Sequence, residues 1–191
     1  MLLTLLRGGK RYSYNNAMTP VLWFTGLSGA GKTTIAEALA ERLRARGKTV
    51  DIVDGDVVRR TFHQDLGFSE EDIKQNQRLV IKLAKELQGK VDYVVVPVIA
   101  PLKELREEAR AAIGEGFVEV YIESSHEVRS ARDPKGLYKK VDEGELPDFI
   151  GYGGVPYEPP ESPDIRINTG AVSIEEATEI LLRALETKGF L

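Results

Sequence analysis

Between residues 18 and 191, short apolar runs alternate with longer stretches whose apolar positions recur at helical spacing. Val21–Thr25, Val50–Val53, Tyr93–Val98, Phe117–Ile122 and Asp164–Ile167 read as strands. Tyr93–Val98 is almost wholly apolar, as a strand covered on both faces should be. Between the strands, Lys32–Arg46 reads as a helix closed by Gly47. Glu70–Leu87 carries Ile73, Val80, Leu83, Ala84 and Leu87 along one side. Leu102–Ile113, the short Ser125–Ala131 and the closing Ser173–Glu186 complete the helices, the last with Ser173 and Glu176 spaced as a capping box. Residues 133–162 are rich in Gly, Pro and charge, lack either period, and read as irregular. Strand–helix alternation predicts an α/β fold: a parallel sheet of about five strands, helices on both faces and right-handed crossovers. Ligands of such folds bind beyond the carboxyl ends of the strands.

The first strand runs into Gly26-Leu27-Ser28-Gly29-Ala30-Gly31-Lys32-Thr33, followed by Thr34 and a helix. This is the G-x-x-x-x-G-K-[ST] phosphate-binding loop in its required strand–loop–helix setting. Glycines let the backbone turn so that its N–H groups face an anion at the helix N-terminus. Lys32 would reach the β- and γ-phosphates of ATP, and the Thr33 hydroxyl would sit on Mg²⁺. Asp54-Gly55-Asp56 follows the second strand. It suits a ligand for Mg²⁺ or its waters and a base for an attacking hydroxyl; the alternative is an Asp-Gly turn with Asp56 capping a helix. Arg59, one turn on, either neutralises an acceptor anion or is solvated. Asn76 shares a face with Ile73, Val80 and Leu83, where it must bond backbone or face a ligand. Arg129, Arg132, Lys135, Lys139 and Lys140 form a basic run fit for a mobile lid over polyphosphate.

Composition narrows the partners. The formal net charge is −4, which argues against nucleic acid or an anionic membrane surface. There is no Cys, and the two histidines, His63 and His126, are too few for a metal cage; they read as surface or capping residues. No run approaches the ~18 apolar residues of a transmembrane helix, and the apolar Met1–Leu6 precedes its cations, unlike a signal segment. A cytoplasmic protein is expected. Met18 lies just before the first strand, so residues 1–17 read as an appendage of unknown role and 18–191 as one phosphate-loop domain with a lid near 133–162.

Taken together, these segments resemble adenylyl-sulfate kinases, from Pro20 to Leu185. Specific to the resemblance are Asp54-Gly55-Asp56 with Arg59, Asp65-Leu66-Gly67-Phe68-Ser69 and Arg132-Asp133-Pro134-Lys135-Gly136-Leu137-Tyr138-Lys139-Lys140. Gly144-Glu145-Leu146 with Phe149, and Pro156-Tyr157-Glu158, also match. The resemblance implies a P-loop NTPase-type fold, a homodimer, and transfer of the ATP γ-phosphoryl group to the ribose 3′-hydroxyl of adenylyl sulfate. A related kinase acting on another small nucleotide-like acceptor is the alternative. By resemblance, Phe68 and Phe149 sandwich the acceptor adenine, Arg59, Asn76 and Lys135 hold its ribose and phosphosulfate, and Arg132 lies near the ATP adenine. Ile99-Ala100-Pro101 stands where the family has Ile-Ser-Pro at the acceptor edge. Further departures are Ile73 and Leu79, where many members have Arg, and Ile150 where Thr is usual. Restoring the cation by Ile73→Arg is therefore expected to improve acceptor use if the helix face tolerates it.

Overall fold

The computed structural model describes residues 18–191; the proposed appendage, residues 1–17, lies outside them. Five parallel strands form one sheet: β1 (Val21–Thr25), β2 (Val50–Ile52), β3 (Tyr93–Pro97), β4 (Phe117–Glu123) and β5 (Ile165–Asn168). Their order is β2-β3-β1-β4-β5. In register, Val21 pairs with Val94 on one side and Phe117 on the other. The alternation of strand side chains sends Leu22 and Phe24 into one core layer and Val21 and Trp23 into the other.

The first layer packs under α1 (Lys32–Ala45) and α7 (Ile174–Thr187), which bring Ile35, Leu39, Leu43, Leu181 and Leu185 against the sheet. The second packs under α3 (Glu70–Leu87) and α4 (Lys103–Ile113), through Val80, Ala84, Ala109 and Ile113. α1 ends at Gly47 (φ +77°). There the Gly47 N–H donates to Arg44 O and Lys48 N–H to Leu43 O, at 2.9 and 3.1 Å. This double closure needs the left-handed conformation that glycine adopts at little cost. The Ser173–Glu176 capping box forms as expected.

The remaining helices are α2 (Gly55–Phe62), α5 (His126–Arg132) and α6 (Leu137–Asp142). Helix α6 corrects the expectation of an irregular 133–162. A helix of six residues is too short to display a period. What holds it is the Asp133 carboxylate, which accepts from the N–H groups of Leu137, Tyr138 and Lys139 at 2.8–3.2 Å. Several expected boundaries also shift by a residue. Leu102 and Ser125 stand outside their helices as caps. Asp164 precedes β5 and spends its carboxylate on Glu119 N–H, Arg110 and Lys188.

Candidate functional site

The carboxyl ends of β1, β2 and β3 deliver the phosphate loop, the Asp54–Asp56 turn and the Ile99–Pro101 segment to one edge. In the loop, Gly26 has φ +151°, and a Cβ there would fall 2.3 Å from Ile122 O; no other residue fits. Gly31 (φ +96°) caps α1 without any side-chain acceptor, so the first N–H groups of the helix stay available to an anion. Ala30 is buried and its carbonyl accepts from Thr169 Oγ1 at 2.8 Å. Leu27 packs on a small apolar cluster, and the Thr34 side chain lies toward solvent.

The Lys32 Nζ donates to Leu27 O at 2.9 Å. Burial pushes its pKa down to about 8; Asp56 and Asp54 pull it up, and the Lys135 and Arg129 cations push it further down. Thr33 Oγ1 donates to Asp54 Oδ2 at 3.0 Å. The other carboxylate oxygen, Asp54 Oδ1, caps α2 by accepting from Asp56 N–H and Val57 N–H. The residue that caps α2 is therefore Asp54, not Asp56. That leaves the Asp56 carboxylate free to pair with the Lys135 ammonium. Burial raises the Asp56 pKa, but Lys135, Lys32 and Arg60 outweigh it and hold the group below the usual carboxylate range.

The basic run behaves less uniformly than a mobile lid. Arg129 is buried and donates to Tyr138 Oη and Tyr152 Oη, both at 3.0 Å, and to Ser124 O. Arg132 donates to Thr169 Oγ1 at 2.9 Å and Thr169 O at 2.6 Å. Tyr138 Oη in turn donates to Ser28 O at 2.8 Å. The phosphate loop is thus bound from behind by α5 and α6. Lys139 and Lys140 stay exposed.

At the acceptor edge, the Arg59 guanidinium lies 4.4 Å above the centre of the Phe68 ring and donates to Leu66 O. Phe68, with Asp148, Gly153, Gly154 and Pro156, walls a cavity of about 410 Å³. Phe149 does not line it. Its ring is buried, stacked on Tyr152 and edge-on to Tyr138. Asn76 is held not by backbone but by a side chain, His63, 3.1 Å away. Ile99 O accepts from Thr25 Oγ1 at 2.7 Å, and Ala100 O from Arg106 at 2.8 Å. Ala100 is buried at φ +45°, in the left-handed region that side-chain-bearing residues rarely adopt.

Residues 18–168 match the adenylylsulphate kinase family. The chain belongs to the adenylyl-sulfate kinase family. It is 42% identical to the adenylyl-sulfate kinase of Halothermothrix orenii over 170 residues, covering 89% of this chain and 91% of that one. With the Staphylococcus epidermidis adenylyl-sulfate kinase it is 41% identical over 183 residues, covering 95% and 92%. Among solved structures, the Mycobacterium tuberculosis APS kinase in complex with AMPPNP and APS superimposes with a TM-score of 0.82 at 36% identity, covering 88% of this chain and 98% of that one.

Within an adenylyl-sulfate kinase, the departures noted in the sequence acquire a physical setting. Ile73 is 4% exposed and packs with Leu102, Leu105 and Ile150. Two departures, Ile73 and Ile150, therefore belong to the same apolar cluster, where a cation at 73 would have no charged partner among the cluster residues. Sequence reasoning also missed the supports of the site: Tyr138, Thr169, Arg106 and His63. Tyr138 lay inside a quoted motif, but as pattern only. Buried Arg106, paired with Glu119 at 3.0 Å, carries no local signal, since its partner is a strand away.

Proposed function

We propose that this adenylyl-sulfate kinase transfers the γ-phosphoryl group of ATP to the ribose 3′-hydroxyl of adenylyl sulfate, giving 3′-phosphoadenylyl sulfate. The observation that carries the reading is the meeting of the phosphate loop, Asp54, Asp56 and Lys135 at one sheet edge. It agrees with a relative that holds AMPPNP and APS together.

In this reading the loop N–H groups from Gly26 to Thr34 cradle the ATP phosphates. Lys32 exchanges its bond to Leu27 O for the β- and γ-phosphate oxygens, and Arg132 lies near the adenine. Thr33 and Asp54 would hold Mg²⁺: two hard oxygen donors 3.0 Å apart suit an ion that keeps most of its waters and leans on phosphate. Among the described residues no cluster of three carboxylate or imidazole groups offers a protein cage instead. Mg²⁺ supplies charge neutralisation on the phosphates. Arg59, Phe68, Asn76, Ile99 and Ala100 shape the acceptor side, with Phe149 behind them, packed on Tyr138 and Tyr152. Lys135 moves from Asp56 to the acceptor phosphosulfate, and Asp56 then takes the proton of the 3′-hydroxyl. The new bond joins that oxygen to the γ-phosphorus as the bond to the β–γ bridging oxygen breaks, releasing ADP. Transfer is direct: Ala100 has no hydroxyl to carry the phosphoryl group, and the chain has no Cys.

We further propose a cytoplasmic homodimer; no described helix is long and apolar enough to cross a membrane. Light scattering tests the assembly. Incubation with ATP, Mg²⁺ and a panel of acceptors tests the reaction. Adenylyl sulfate should give the highest kcat/KM, and a higher value for another nucleotide would overturn the acceptor assignment.

A further inference from the structure

Asn76 is an amide set among hydrocarbon. It stands one turn from Ile73 and one turn from Val80 on α3, and is 8% exposed. A primary amide has an oxygen that only accepts and a nitrogen with two donors. The oxygen is engaged by His63 Nδ1 at 3.1 Å. The nitrogen has no hydrogen-bond partner among the described residues. It is also not among the fully sealed unpaired polar atoms, which are Trp23 Nε1, Gln77 Oε1 and Ser124 Oγ. The amide nitrogen is therefore unpaired among the described residues without being sealed off. Leaving such donors unmade in a mostly buried residue is costly, and a ligand oxygen would satisfy them.

His63 closes the C-terminal end of α2, its N–H donating to Arg59 O at 2.9 Å. Asp56, Arg59 and His63 follow at i, i+3 and i+7, one side of the helix. The first two already border the reaction site, so His63 continues the same stripe. Because Asn76 Oδ1 cannot donate, the proton of this bond resides on Nδ1.

We propose that His63 is a positioning residue for the acceptor. Its Nδ1–H holds Asn76 Oδ1 and so turns Asn76 Nδ2 toward the ribose or phosphosulfate oxygens. Without it the amide is free to flip and presents an oxygen to an oxygen. The inference rests on the acceptor reading above.

The experiment is a steady-state series on the full chain with ATP, Mg²⁺ and adenylyl sulfate, using His63→Ala, His63→Asn, His63→Gln, Asn76→Ala and the His63→Ala/Asn76→Ala pair. His63→Ala should raise KM for adenylyl sulfate about three- to tenfold, the loss of an oriented hydrogen bond, with kcat and the KM for ATP within twofold. Asn places an amide nitrogen where Nδ1 stood, so His63→Asn should restore the KM. Gln reaches to the Nε2 position and should not. In the Asn76→Ala background, His63→Ala should change nothing further. An effect of His63→Ala that persists there, equal rescue by Gln and Asn, or parallel changes in both KM values would overturn the proposal. Should the alanine variant melt before assay, the Asn–Gln comparison decides by itself. A wild-type protein inert toward adenylyl sulfate would instead defeat the acceptor reading.

Discussion

Lys32 gives the reaction a pH dependence whose sign and size follow from its surroundings. Its ammonium is removed from water, and its pKa falls from 10.5 to about 8 in the free protein. The unfolded chain then binds more protons than the folded one between about 8 and 10.5. The ionised Lys32 therefore costs the free protein stability below that window, and the cost vanishes as pH rises through it. Binding runs the other way. Polyphosphate needs the cation and restores it, so ATP affinity falls as pH rises. With a pKa near 8, about nine-tenths of the free enzyme is charged at pH 7 and about one-tenth at pH 9. If only the charged form binds, the apparent Kd rises about tenfold across that range. Titration calorimetry with Mg²⁺ and a non-hydrolysable ATP analogue, in buffers of different ionisation enthalpy, reads both quantities. Uptake of about half a proton per site is expected at pH 8, and close to one at pH 9. Lys32→Arg should flatten the profile, because guanidinium stays charged throughout. An affinity constant within twofold from pH 7 to 9, with no proton uptake, would show that the Lys32 charge is not shaped by its burial or does not meet the phosphates.

Other consequences are equally open to measurement. Asp56→Asn removes the proposed proton acceptor while keeping its shape, and kcat should fall about a hundredfold or more with the melting temperature little changed. Asp54→Asn should mainly raise the Mg²⁺ concentration needed for half-maximal rate, since its one oxygen still caps α2. Ile73→Arg should not improve acceptor use: an unpaired guanidinium among Leu102, Leu105 and Ile150 should destabilise the fold by about 3–5 kcal/mol, read by denaturant unfolding, and near-wild-type stability would refute that packing. Initial-rate plots for the two substrates should intersect, whereas parallel lines or acid-stable label on the protein from γ-labelled ATP would refute direct transfer.

The sheet was legible because its strands advertise themselves. Tyr93–Pro97 is buried at all five positions, and an apolar run of that length has few other uses. The phosphate loop was legible because its spacing encodes backbone geometry, as Gly26 against Ile122 O demonstrates. Helix α6 escaped notice because its stabilisation comes from Asp133 before it and from buried Tyr138 within it, and neither produces a period. The roles of Asn76 and Arg129 depend on partners 13 and 23 residues away, His63 and Tyr152, and no local pattern pairs such residues. Ile73 illustrates a different limit. Read against a family pattern it is a missing cation, but read in its packing it is a core residue matched by Ile150. Both belong to one small apolar cluster, which the separation of 77 residues hides from any local pattern.

The lid has two kinds of attachment to the phosphate loop side. Tyr138, Arg129 and Arg132 are joined to Ser28, Ser124 and Thr169 through buried or half-buried bonds, and breaking them strands polar groups in a site of low dielectric. Lys135 meets Asp56 with both side chains about half exposed, a pair worth only ~0–1 kcal/mol in such surroundings. A ligand that offers Lys135 a phosphate or sulfate thus displaces a weak bond and leaves the strong ones intact. Gly136, at φ +63° just before α6, lets the chain turn between the fixed helix and the exchanging lysine. If Lys135 exchanges Asp56 for the acceptor as proposed, the adjustment is expected at Pro134–Gly136, while α5 and α6 keep the phosphate loop in shape. On this argument the basic run is a brace fixed through Arg129 and Arg132, with Lys135 as the cation free to exchange partners beside Asp56, which differs from a lid that opens as a body.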